Sequence, residues 1–130
     1  MSAQDVDVIV RTALASDPTV AGLVDARIYP EEAPENEDLP LIVYGVRVNN
    51  PSDGNAPIWD VAVECHCWTE DDTEAEALAA ACDTVLAGLT GNSNTTSLRP
   101  LTLESWEPAR DADNNVWGRL LGYSGLVVRG

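Results

Sequence analysis

Hydrophobic positions along the chain change their period several times, and each change marks an element. Val6, Ile9, Val10, Ala13 and Leu14 recur at helical spacing, which predicts an amphipathic helix starting near Ser2 or Asp5, where Ser2-x-x-Asp5 can form a capping box, and ending at Ser16. Asp17 followed by Pro18 restarts the helix, with Asp17 as cap and Pro18 at the first helical position. Val20, Leu23 and Val24 give that short turn an apolar side. Residues 31–38 hold Pro34 and five acidic side chains without periodicity and read as a solvated loop.

Residues 41–48 and 59–68 are rich in Val, Ile, Tyr and Trp and read as two strands of a hairpin. Their connection, residues 49–57, is dense in turn formers but longer than the common loop of two to five residues. The most regular helix follows. Asp71 can cap it with Glu74 three positions on, Ala75, Leu78, Ala79, Cys82, Val85, Leu86 and Leu89 repeat on one face, and Gly91 offers a stop. Residues 98–106 and 116–128 read as two further strands joined by an Asp- and Asn-rich turn, the last one interrupted by glycines that suit a bulge or a strong twist. The expected architecture is a single α+β domain over residues 1–130: an antiparallel sheet of about four strands with two helices packed on one face, the short Asp17-Pro18 turn beside them.

Charge narrows the choice of partners. With 22 acidic against 7 basic side chains, all of the latter arginine, the formal charge is -15. Such a surface repels nucleic-acid phosphate and anionic membranes. No apolar run approaches the roughly 20 residues that cross a bilayer. Three cysteines, Cys65, Cys67 and Cys82, with no leader before Ser2, predict free buried thiols in a reducing compartment.

The candidate chemistry is thin. Cys65-His66-Cys67 resembles a metal clip, but in a strand the two thiols share a side and His66 points away, so buried core thiols are expected instead. Gly122-Tyr123-Ser124-Gly125 lacks the spacing of a nucleophile elbow. Asp111, Asp113 and Asn115 match the opening of a calcium loop, yet Val116 stands where its glycine belongs and Gly122 where its glutamate should be. Glu70, Asp71, Asp72, Glu74 and Glu76 suit a helix start. No catalytic residue, metal ligand or cofactor is expected.

Contact surfaces are the better candidates. The 49–57 connection offers Asn49, Asn50, Ser52, Asp53 and Asn55. Trp59 should face the core. Trp68, with one of Trp106 and Trp117, should fall on the other face beside Ala62, Glu64 and His66, an aromatic patch of the kind that forms interfaces.

The order of these elements resembles a known family. The run DPTVAGLVDARIYP, the proline-led LPLIVYGV, and VAVECHCW before an acidic, alanine-rich helix are similar to the tail terminators, the tail-completion proteins of long-tailed bacteriophages. The resemblance implies a sheet with helices on one side, no enzymatic activity, and a ring homo-oligomer, a hexamer in that family. The ring would cap the tail tube, join it to a head-completion or connector protein, and pass DNA through its lumen. It also implies a place in the virion at the head-proximal end of the tail, reached from the host cytoplasm during assembly. Rival readings are a head connector or other neck protein, a small cytosolic acidic ligand-binding module or enzyme, and an inhibitor mimicking DNA by its charge.

Overall fold

A computed structural model of the protein describes residues 3–49 and 57–129. The N-terminal stripe winds as α1, Ala3–Ser16, and buries Val6, Ile9, Val10 and Leu14. Asp17 caps α2, Pro18–Val24, by accepting a hydrogen bond from the Val20 N–H at 3.0 Å, and Pro18 fills a position where its missing N–H leaves nothing unpaired. Ser2 lies outside the described residues. The Asp5 carboxylate instead accepts from Asn94 Nδ2 at 2.9 Å and from Thr96 Oγ1 at 3.0 Å, tying the start of α1 to a distant hairpin.

The long helix is α3, Asp72–Leu86, capped by Asp71, which accepts from the Glu74 N–H at 2.7 Å. It stops before Gly91. Ala87 turns to extended backbone and Gly88 takes φ +77°, a left-handed conformation open to glycine at little cost, so Gly88 is the glycine that ends it.

The strands are β1, Ile28–Pro30; β2, Leu41–Asn49; β3, Ile58–Thr69; β4, Gly91–Ser93; β5, Thr96–Leu98; β6, Thr102–Asp111; and β7, Val116–Arg129. They join in the order β1-β2-β3-β7-β5-β4, with β6 on the same edge of β7 as β5, and the sheet curls into a half-barrel. The β2–β3 hairpin holds the register Leu41 opposite Trp68 through Asn49 opposite Asp60. Its apolar alternation sets that register, because a slip of one residue would turn every core side chain outward.

This corrects the expectation of an antiparallel sheet of about four strands with two helices. Among the described residues the sheet has seven strands, is mixed, and carries three helices. The Ile28-Tyr29-Pro30 exit from α2 is itself a strand, paired parallel with β2. Residues 98–106 are not one strand: Pro100 interrupts them between β5 and β6. The turn-forming run 91–98 folds as the β4–β5 hairpin, which β7 recruits through the pairs from Thr96–Arg129 to Leu98–Val127. Strands of three residues carry almost no periodicity, so pairing rather than propensity creates them.

α1 packs over β1, β2, β4 and β5, α3 over β3 and β7, and α2 against both other helices. All three therefore shield one face. The core lies between them and Ile42, Tyr44, Val61, Val63, Leu121, Tyr123 and Val127 of the sheet.

Candidate functional site

Every second residue of β3 meets the helices, and the alternate residues meet no helix. Val61, Val63, Cys65, Cys67 and Thr69 are buried, whereas Ile58, Asp60, Ala62 and Glu64 are exposed and His66 and Trp68 half-buried.

On the covered face, Cys65, Cys67 and Cys82 come together. Their sulfur atoms lie within 4.8 Å of one another, Cys67 and Cys82 at 3.8 Å. α3 supplies the third thiol, a convergence that the Cys65-His66-Cys67 spacing does not reveal. All three are pushed well above the usual thiol range. For Cys65 and Cys82 a neighbouring thiol leads and burial adds to it; for Cys67 the Cys65 contact pulls down, but Cys82 and burial outweigh it. Thiols held protonated in apolar surroundings pack as small hydrophobes.

Two polar clamps fix α3 to the sheet. Arg119 is buried and donates to Asp72 Oδ1 at 2.8 Å, to Glu76 Oε2 at 2.9 Å and to the Gly118 carbonyl at 2.9 Å. The Tyr123 hydroxyl donates to Asp83 Oδ1 at 2.7 Å, and burial, then that carboxylate, raises its pKa. The acidic start of α3 thus has a second task besides complementing the helix dipole. Sequence reasoning missed both clamps, since an arginine and a tyrosine facing inward on an apolar strand show their partners only after folding. The Tyr44 hydroxyl is buried without a hydrogen bond of acceptable geometry, with Asp7 and Arg11 the charged groups beside it.

The uncovered face is the candidate functional surface. At one end the 31–38 loop rises over the sheet and leaves a groove of about 920 Å³. Leu41, Val43, Trp68 and Val116 give it an apolar floor, and Glu31, Glu32, Glu35, Glu37 and Asp111 an acidic wall. The hydrogen bond that the Tyr29 hydroxyl donates to the Glu37 carboxylate raises the Tyr29 pKa, while hydrogen bonds from Asn114 hold Asp111 below the usual carboxylate range. The Trp68 ring lies against Gly118 so closely that a Cβ there would sit 2.6 Å from it. At the other end Ile58 and Leu126 are 40% and 45% exposed, a departure from the usual burial of large aliphatic side chains.

The residues expected at a contact surface separate. Asn49 is exposed at the end of β2; Asn50, Ser52, Asp53 and Asn55 lie outside the described residues. Trp68 is on the uncovered face as expected, and Trp59 on the helix side. Trp106 and Trp117 correct the expected patch, because both face the helix side. Trp106 pairs with Leu121 and packs on the core. Trp117 pairs with Thr69 and carries the Arg110 guanidinium 3.9 Å above its ring. For Trp106 the cause is an extra residue in β6 between Leu103 and Ser105, which reverses the facing of every residue after it.

The remaining motifs settle into structure. Asp111 to Asn115 form a hairpin turn in which Asp111 accepts from Asn114 Nδ2 at 2.9 Å, and Asn115 has φ 54°. Gly122-Tyr123-Ser124-Gly125 lies within β7, with no strand-to-helix elbow. Among the described residues, no helix is long and apolar enough to cross a membrane.

Residues 9–127 match the family described as Tail completion protein gp17. No curated protein matches the sequence. Among solved structures, a chain of "Virion of native gene transfer agent (GTA) particle" is similar with a TM-score of 0.82 at 21% identity, covering 98% of this chain and 97% of that one. At that identity the likeness establishes the shared fold.

Proposed function

Because the chain belongs to the family of tail completion protein gp17, and so to the structural proteins of the virion tail, we propose that it caps the tail tube and joins it to the head as a ring of identical subunits. The observation that carries this reading is the family match over residues 9–127, and the uncovered sheet face agrees with it. A half-barrel shielded on one face leaves apolar surface, Trp68 at one end and Ile58 and Leu126 at the other, to be covered by a neighbour.

In this reading subunits meet head to tail, a heterologous contact that closes into a ring, with six as the expected number. Asn49 and the 50–56 segment, together with Trp68, serve the contact, while Trp106 and Trp117 pack within the subunit. The tail tube protein binds one rim of the ring and a head-completion protein the other. A surface of formal charge -15 keeps DNA moving through the lumen by repelling its phosphates.

Negative-stain images of the purified protein, alone and with tail tubes, test the proposal. Annular particles that cap tube ends support it. Light scattering that finds only monomer at high concentration and in the presence of tubes refutes it, and co-purification with capsids rather than tails would move the protein to the head connector.

A further inference from the structure

Of the seven arginines in the chain, five are engaged within the subunit. Arg11 lies beside Tyr44; Arg27 donates to the Pro40 carbonyl at 2.9 Å; Arg47 faces Glu64 at 3.8 Å; Arg110 covers Trp117; and Arg119 clamps α3. Arg99 and Arg129 are exposed and form no ion pair among the described residues. Both belong to the same rim. The Arg99 N–H donates to the Leu126 carbonyl at 2.9 Å, which sets Arg99 beside the exposed Leu126 with Asp60 the acid nearby; the Arg129 N–H donates to the Pro57 carbonyl at 2.9 Å, next to the exposed Ile58, and its pairing with Thr96 turns its side chain to the helix side of the same rim.

The acidic groove sits at the opposite end of the same face. β7 begins at its wall with Val116 and, 14 residues long, ends at the basic rim with Arg129, roughly 40 Å away at the rise of a strand. A subunit cannot bring its own rim into its own groove. We propose that the groove under the 31–38 loop receives the Arg99 and Arg129 rim of a second copy of this chain, with Ile58 and Leu126 set against the Trp68 floor.

This deepens the ring reading and rests on it. For a chain this acidic, general self-repulsion opposes association, so a self-contact has to use the few cations available. An acidic groove at one end and a basic apolar rim at the other satisfy that need and give the contact a direction. Because each copy presents one of each, the contact repeats around a ring.

Charge reversal tests it by sedimentation at one fixed ionic strength, with circular dichroism as the folding control. Glu32→Arg with Glu35→Arg reverses the groove; Arg99→Glu with Arg129→Glu reverses the rim. Each double variant alone should weaken self-association at least about tenfold, as expected for reversed interfacial charge pairs. An equimolar mixture of the two, in which every groove meets a rim of opposite sign, should restore it, as should the chain carrying all four changes. A wild-type ring that both reversals leave intact, or losses that the mixture fails to restore, overturns this contact and spares the ring. A wild type that remains monomeric with tubes present removes the ring and this contact with it.

Discussion

The two faces of β3 are built from alternate residues of one strand, yet they obey different rules. Towards the helices, Val61, Val63, Cys65 and Cys67 are buried and joined by Leu78 and Cys82 of α3, with Arg119 and Tyr123 supplying polar clamps from the sheet to α3. Away from them, Trp68 leans on Gly118, Glu64 stands 3.7 Å from His66, and Ile58 and Leu126 remain in contact with solvent. The covered face is closed by the three helices of the described residues; the other leaves large apolar side chains exposed. Burial makes the first face intolerant of change, whereas the second can vary as far as folding is concerned and is constrained by what it touches.

Truncating the covered face should be most costly. Leu78→Ala removes a side chain that is 1% exposed and leaves a cavity under α3, expected to lower stability by about 3 kcal/mol in urea unfolding. Next comes Gly118, where the Trp68 ring on the uncovered face meets the backbone of β3 and β7. In Gly118→Ala the new methyl would lie 2.6 Å from the Trp68 ring and 2.8 Å from the Cys67 carbonyl oxygen, and because backbone cannot yield as a side chain can, a loss of about 2 kcal/mol with altered tryptophan fluorescence is expected. An unchanged melting curve would show Trp68 to be loosely held and the contrast overstated.

Tyr123→Phe deletes the bond to Asp83 and should cost about 1 kcal/mol, read from the same unfolding curves. At neutral pH a smaller effect attaches to Tyr44, whose pKa burial pushes from 10.0 up to about 12, with Asp7 adding to it. Since the folded value lies above the unfolded one, stability is intact below pH 10 and falls as pH climbs towards 12. Tyr44→Phe should flatten part of that alkaline fall, and thermal melts from pH 9 upward check it. Leu126→Gln on the uncovered face should change monomer stability by less than about 0.5 kcal/mol while reducing oligomer size in light scattering. A destabilisation like that of Leu78→Ala would erase the distinction between the faces.

Much of this was legible in the residues. The stripe of Val6, Val10 and Leu14, the Asp17-Pro18 restart, the Asp71 cap and the β2–β3 alternation each rest on interactions within a few residues, so local pattern was enough to place them. The parity of β3 likewise put Cys65 and Cys67 inside and Trp68 outside. Tertiary structure alone decided the rest. β1 and β5 exist because longer strands lend them hydrogen bonds, and β4 because β5 does. One extra residue in β6 turned Trp106 inward, and Arg119 found Asp72 and Glu76 more than forty positions away. The groove, too, joins a loop after β1 to a turn before β7. Local propensity acts over one or two turns of chain, whereas pairing, bulge register and charge juxtaposition depend on which segments the closed sheet makes neighbours.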